Sequence, residues 1–179
     1  MHDCLKELYY DPVKAGLVRE RRRRIYERAD RIVAISEVTR IDLHLLYGER
    51  VGDRVKVIHD PVDFSYLTEA VADTSGEAEA AALVAKAGGR PFAVYIGHRG
   101  RSKNFMEVRT LLAALPDHCV IGFGDPPTSS EAELATSLKG RIVFAGPGRD
   151  AVMFKVLARA DFLFFPSLFE GFGLPIIES

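Results

Sequence analysis

Apolar and polar positions follow two different rhythms along this chain, and the change falls near Pro91. Downstream of it, short apolar runs rich in β-branched and aromatic residues recur at Phe92–Ile96, Cys119–Phe123, Ile142–Ala145 and Phe162–Phe165. Runs of this length and type predict strands. Between them, the apolar spacing predicts helices over Asn104–Leu115, Ser130–Leu138 and Asp150–Ala160. Strands alternating with such helices imply right-handed βαβ crossovers and a parallel sheet. Three strands run into Gly97, Gly124 and Gly146, and the fourth into Pro166-Ser167. Loops at the carboxyl ends of an open α/β sheet are where ligands bind. The expected class is therefore α/β, with a Rossmann-like parallel sheet over residues 91–179.

Upstream of Pro91, Ala29–Ile35 reads as a strand and Ser36 as an N-cap. Glu37–Tyr47 reads as a helix closed by Gly48, and Val55–His59 as a second strand broken by Asp60-Pro61. That is one βαβ unit, too little to make a core of its own. Residues 67–90 read as a polar linker followed by an exposed helix around Glu77–Lys86.

Bulk composition narrows the class rather than naming it. At 179 residues the chain can bury one good core, or one domain and part of another. A 47% hydrophobic, 27% charged composition is ordinary for a globular protein, and a net charge of −1 argues against coating nucleic acid or an acidic membrane. Cys4 and Cys119 lie far apart with no CxxC, so neither a zinc site nor a disulfide framework is expected. A cytoplasmic location fits, with a peripheral position at the inner membrane face as an alternative. The run Arg19-Glu-Arg21-Arg-Arg-Arg24 reads first as a solvated helical face tempered by Glu20 and Glu27. Its second reading is contact, through Arg21–Arg24, with anionic lipid or a lipid-diphosphate acceptor. No helix-turn-helix or aromatic-basic interleaving accompanies it, so no nucleic-acid partner is expected.

Two segments carry candidate chemistry. The loop Gly97-His-Arg99-Gly-Arg101-Ser-Lys103-Asn104 brings three cations to the sheet's binding edge, and Asn104 with Glu107 resembles a capping box. It reads either as a diphosphate clamp built from Lys103 and one arginine or as a solvated basic loop. The GxGxxG fingerprint of nicotinamide cofactors is absent. The second segment, Phe165-Pro-Ser-Leu-Phe-Glu170-Gly-Phe-Gly-Leu-Pro175-Ile-Ile-Glu178-Ser179, is a glycine-bracketed turn ahead of a proline suited to a first helical turn. Helix-start amides favour an anion, and Glu170 and Glu178 flank the turn, where carboxylates can grip hydroxyls. Phosphate beside hydroxyls describes a nucleotide sugar. Either glutamate taken alone reads more readily as an ordinary loop or helix-start carboxylate.

Together, Ala29-Asp-Arg-Ile-Val-Ala-Ile-Ser, Gly97…Lys103-Asn104 and the Glu170-x7-Glu178 segment resemble the retaining GT-B glycosyltransferases of family 4, many of them mannosyltransferases. The resemblance implies two facing Rossmann-like domains: residues 1–66 as a remnant of the N-terminal, acceptor-side domain, and 91–179 as an incomplete C-terminal, nucleotide-sugar-binding domain. It places Glu178 on the donor ribose, Glu170 on the donor sugar, and the backbone of Phe172, Gly173 and Leu174 against the diphosphate or sugar. Lys103 neutralises the leaving diphosphate, beside Gly97 and an arginine. Many members carry arginine directly after that glycine, where this chain has His98; Arg99 is the first choice and Arg101 the reserve. The implied activity is metal-independent transfer, with retention, of a sugar from GDP-mannose or a UDP-sugar to a glycan or lipid-linked acceptor, with no cofactor. The resemblance also implies further segments before Met1 and after Ser179, without which the chain would be inactive. His2-Asp3 and His59-Asp60-Pro61-Val62-Asp63 fall near family motifs but depart from them, Pro61 standing where glycine is common. A non-catalytic nucleotide-binding module and a nucleotide-sugar epimerase of the same fold are the alternatives.

Overall fold

A short β-strand can be buried only if its backbone groups are paired, and two separate parallel sheets meet that demand here. The structure is a computed structural model; it describes residues 3–62, 65, 68, 69 and 72–179, and the side chain of Glu178 lies outside that description. His2 and Asp63, flagged above, fall outside the described residues. The chain divides into two units, Met1–Val62 with Leu168–Leu174, and Asp63–Ser167 with Pro175–Ser179.

Unit one begins with helices α1 (Leu5–Tyr9) and α2 (Pro12–Arg28). Asp11 starts α2 by accepting from the amides of Val13 and Lys14, with Pro12 in the first turn, where its missing N–H costs nothing. Strands β1 (Ile32–Ala34) and β2 (Val55–Val57) pair in parallel, joined by α3 (Glu37–Tyr47) and α4 (Glu49–Gly52). Ser36 caps α3 by accepting from the Thr39 amide at 3.1 Å, and Gly48 ends it at φ 84°. The expected strand Ala29–Ile35 is shortened at its start. The Arg54 guanidinium binds the carbonyls of Tyr26, Glu27 and Ala29, so that stretch finishes α2 instead of pairing.

The core of unit one is Cys4, Tyr26, Ile32, Ala34, Leu43, Tyr47 and Val51. Glu7 enters this apolar setting with its side chain 0% exposed. Its carboxylate accepts from Arg22 Nη1 at 2.7 and 2.8 Å and from the Tyr47 hydroxyl at 2.8 Å. The basic run is therefore not a uniform solvated face. Arg22 compensates a buried charge, while Arg24 with Glu20 and Arg23 with Glu27 form pairs along the helix surface. Burial pushes the Cys4 thiol up to about 12, Glu7 adding to the shift, and burial does the same to the Tyr26 hydroxyl, also to about 12. Tyr47 is pushed higher still, by burial and then by its bond to Glu7.

Unit two holds β3 (Phe92–Ile96), β4 (Cys119–Phe123), β5 (Ile142–Gly146) and β6 (Phe162–Leu163) in the order β5-β4-β3-β6, all parallel. Both faces of β3 and β4 are covered, which is why they read as continuous apolar runs. On one face, Phe92, Val94, Ile121 and Phe123 pack with Ala80 and Leu83 of α5 (Glu77–Ala85) and with Val152 and Val156 of α8 (Asp150–Leu157). On the other, Ala93, Tyr95 and Val120 pack with Val108 and Leu112 of α6 (Val108–Ala114) and Leu134 of α7 (Ser129–Ser137). A short helix α9 (Leu174–Glu178) closes the described chain.

The helix expected to be exposed, α5, is instead a core element. Its buried residues are Ala80 and Leu83, with Ala87 just past its end, and the alanines give a weak periodic signal. Its acidic residues dock against α8 and its flanks: Glu79 pairs with Arg149 at 3.1 Å, and Glu77 with Lys155 and Arg159. Among the described residues no helix is long and apolar enough to cross a membrane.

Glu7→Ala strips Arg22 and Tyr47 of their shared acceptor. Urea unfolding should show a loss of about 3 kcal/mol, against less than about 0.5 kcal/mol for exposed Glu20→Ala. The raised Cys4, Tyr26 and Tyr47 groups keep protons in the native state that the unfolded chain releases. Their contribution should be full below about pH 9, the ordinary thiol value, and be lost as pH climbs toward about 12. A urea-midpoint series across alkaline pH checks the sign.

Candidate functional site

The carboxyl edge of the four-stranded sheet is built from glycines at three adjacent strand ends. Gly97, Gly124 and Gly146 take φ of 125°, 138° and 75°, values that side chains disfavour. They are stitched together: the Gly97 amide donates to Phe123 O at 3.1 Å, and the Gly124 amide to Gly146 O at 3.0 Å. A Cβ on Gly124 would collide with the Gly97 carbonyl. The strand order also reverses here. From β3 the chain steps outward through β4 to β5, then returns to place β6 on the other side of β3. Such a reversal opens a crevice at the carboxyl ends of the strands on either side, here β3 and β6.

The loop after β3 carries the predicted cations, and the structure separates them. Arg99 turns into the fold, with a side chain 3% exposed. Its Nε donates to Glu131 Oε1 at 3.1 Å, and its Nη2 donates to the Asp125 carbonyl. The guanidinium lies against Phe144 and Phe105, 5.0 and 5.5 Å from the ring centres. Glu131 is equally buried and also closes a capping box on α7, accepting from the Thr128 amide at 2.7 Å. Arg99, the first choice for the diphosphate, is therefore committed to holding the β3 loop against the head of α7. Arg101, the reserve, is exposed.

Lys103 closes a 3-10 turn, Arg101–Lys103, its amide donating to Gly100 O at 2.9 Å. Asn104 does not cap a helix with its side chain. It adopts the left-handed conformation at φ 52°, which asparagine tolerates, and a second 3-10 turn, Phe105–Glu107, leads into α6. The expected helix thus starts at Val108 rather than Asn104. Phe105 drops into the core beside Tyr95, ring centres 4.8 Å apart, and anchors the far end of the loop.

Two polar residues on this edge were not singled out for a role in the sequence. His98 Nδ1 lies 2.6 Å from Asp125 Oδ2, joining the loops after β3 and β4. The Tyr95 hydroxyl donates to the His98 carbonyl at 2.7 Å. The only sequence signal for the pair is its placement, each residue directly following a strand-end glycine.

The segment bearing Glu170, Phe172, Gly173 and Leu174 packs with unit one, although it follows β6 in sequence. There the Tyr9 hydroxyl donates to Leu168 O at 3.2 Å, and the Tyr9 ring stands 5.5 Å from that of Phe169. Phe172 lies 5.7 Å from His59, ring centre to ring centre, and His59 Nδ1 reaches Ile35 O at 3.0 Å. Gly173 takes φ 83°, and Pro175 falls in the first turn of α9, as its position in the sequence predicts. Glu178 lies on α9 with unit two, as do Gly97, Arg101 and Lys103. Among the described residues, no three or more His, Cys, Asp or Glu side chains gather as a metal site would require.

No family model and no curated relative matches the sequence. Solved structures do match it. Anabaena HepE in complex with UDP and glucose aligns over 99% of this chain and 48% of its own, at 19% identity and a TM-score of 0.73. The same protein in complex with UDP-glucose gives a TM-score of 0.76 at 18% identity, over 99% of this chain and 49% of its own. A trehalose 6-phosphate synthase from Burkholderia multivorans gives 0.62 at 14% identity, over 91% of this chain and 45% of its own. The chain spans about half the length of these proteins. The likeness establishes the fold, which is of GT-B type.

Burial of Arg99 separates it from Arg101 by experiment. Arg99→Ala leaves the Glu131 carboxylate buried and unpaired, so thermal or urea unfolding should register a loss of about 3 kcal/mol. Arg101→Ala should stay within about 0.5 kcal/mol of the parent.

Proposed function

We propose that this chain carries the nucleotide-sugar site of a GT-B glycosyltransferase of family 4 type, with a uridine diphosphate sugar as donor. The observation that carries this reading is the glycine-ended carboxyl edge of the unit-two sheet, with Arg101 and Lys103 on the loop beside it. Glycines carry no side chain, so the backbone of this edge can be approached closely, and a reversal of strand order marks the edge where nucleotides bind in open α/β sheets. The UDP and UDP-glucose complexes of HepE support uridine as the base to test first, with GDP-mannose second.

Transfer breaks the bond between the anomeric carbon and the diphosphate oxygen, leaving positive charge on the sugar and negative charge on the diphosphate. Cations already in place lower that barrier without reorganising. In this reading Lys103 and Arg101 meet the diphosphate, and Arg99 acts through Glu131 and Asp125 to position the loop that carries them. Glu178 takes ribose hydroxyls. Retention of configuration, independence of a metal and a glycan or lipid-linked acceptor belong to the same proposal.

Titration calorimetry with UDP, UDP-glucose and GDP-mannose tests it. UDP should bind, and Lys103→Ala should weaken binding about ten- to a hundredfold, the worth of a charge-assisted phosphate contact. Absence of binding by all three ligands at millimolar concentration would remove the reading.

A further inference from the structure

We infer that the opposite, amino-terminal edge of the unit-two sheet holds a second ligand site, one for a phosphomonoester that also carries hydroxyl groups, the chemistry of a sugar phosphate. The site is a cavity of about 310 Å³ lined by Arg90, Pro116, Ser137, Leu138, Lys139 and Arg141. Arg90 lies just before β3, Pro116 before β4 and Arg141 before β5, so the pairing of these three strands gathers them at one edge. A strand of the length of β3 spans about 16 Å, which separates this cavity from the loops of the carboxyl edge. Neither Arg101 nor Lys103 takes part, and the site stands whether or not a nucleotide binds at the other edge.

Three cations and no carboxylate line the cavity. Arg141 is held in place, its Nη1 donating to the carbonyls of Leu112, Leu115 and Pro116 at 2.9, 3.4 and 3.1 Å. That contact closes the end of α6 and leaves Nε and Nη2 as donors on a fixed guanidinium. Arg90 and Lys139 do no such work. Both are exposed, and among the described residues neither side chain has a carboxylate or carbonyl partner, whereas Arg149 and Arg159 are both paired. Burial pushes the Cys119 thiol at the start of β4 up, while Arg90 and Arg141 pull it back, so their positive potential converges there. A phosphomonoester carries a charge of about −1.5 to −2 at neutral pH, which such a cluster matches. Ser137 supplies the complementary group. Its hydroxyl donates to Leu134 O at 2.7 Å, and its oxygen remains able to accept from a ligand hydroxyl.

The backbone at Lys139 points the same way. Helix α7 ends with the Gly140 amide donating to Ala135 O at 3.1 Å and the Lys139 amide to Thr136 O at 3.0 Å. This is the Schellman arrangement, in which the residue after the cap turns left-handed and is usually glycine. Here that residue is Lys139, at φ 55°, with Gly140 following at φ 74°. Asn104, a residue type that tolerates the conformation, is the other non-glycine case among the described residues. A lysine held in a strained conformation, beside a glycine that would have suited it, is kept for its ammonium group.

Amide NMR of the isotope-labelled 179-residue chain, titrated with ribose 5-phosphate, locates binding. The amides of Arg90 and of Ser137–Arg141 should shift; shifts confined to Gly97–Asn104, or none at millimolar ligand, would overturn the site. Methyl phosphate, equal in charge but without hydroxyls, should bind about fivefold more weakly, and ribose alone should not bind. Equal affinity for the two phosphates would remove the hydroxyl contact at Ser137. Arg90→Ala should weaken ribose 5-phosphate about tenfold. Lys139→Gly should do the same while unfolding at a higher urea concentration than the parent, because glycine relieves the left-handed strain. Parental affinity in both variants would overturn the assignment, as would a loss of binding in Lys103→Ala, whose lysine stands at the other edge.

Discussion

A buried ion pair governs the edge on which the proposed donor chemistry of unit two depends. Arg99 and Glu131 are both removed from water, a state that costs several kcal/mol per charge unless each finds partners. Glu131 finds two, the Arg99 guanidinium through one oxygen and the Thr128 amide through the other. One carboxylate thereby starts α7 and pins the loop after β3. The loop after β4 is tied in through the Asp125 carbonyl, which Arg99 also binds. Under the proposed function, holding this cationic loop in place matters because a fixed charge stabilises a leaving group more effectively than one that must be gathered at each turnover.

Unit one solves a related problem by the same means. Glu7 is buried among Cys4, Tyr26 and Tyr47, and it is tolerated because Arg22 and the Tyr47 hydroxyl meet its oxygens. A cation from a helix that otherwise reads as surface is drawn inward. The cost is local alkaline sensitivity, since burial first, and the charged carboxylate second, oppose ionisation of the surrounding thiol and hydroxyls. A carboxylate–arginine pair joins α1 to α2 in unit one and the β3 loop to α7 in unit two.

Much of the architecture was legible because it depends on local rules. Apolar runs bounded by glycine located β3, β4 and β5 almost to the residue, and Ser36, Tyr47 and Gly48 bounded α3 as their capping chemistry dictates. Alternation of strand and helix implied parallel sheets, which are observed in both units. Where the reading differed, the reason was tertiary. Alanines hid the buried stripe of α5, and a left-handed Asn104 imitated a cap. Arg54, distant in sequence, bound the carbonyl of Ala29, where the expected strand was to begin.

Sequence alone determined the class of fold, the glycine-ended strands and the inventory of cations and carboxylates beside them, since each follows from spacing and residue type within a few positions. It could not decide which of the loop's cations is drawn into the fold. That choice required knowing that Glu131, 32 positions from Arg99, stands within 3.1 Å of it and draws it out of solvent. The pairing of His98 with Asp125 across 27 positions, and the return of β6 to the side of β3, were likewise settled only by folding. Long-range partners decide burial, and burial decides whether a charged side chain serves the structure or faces outward.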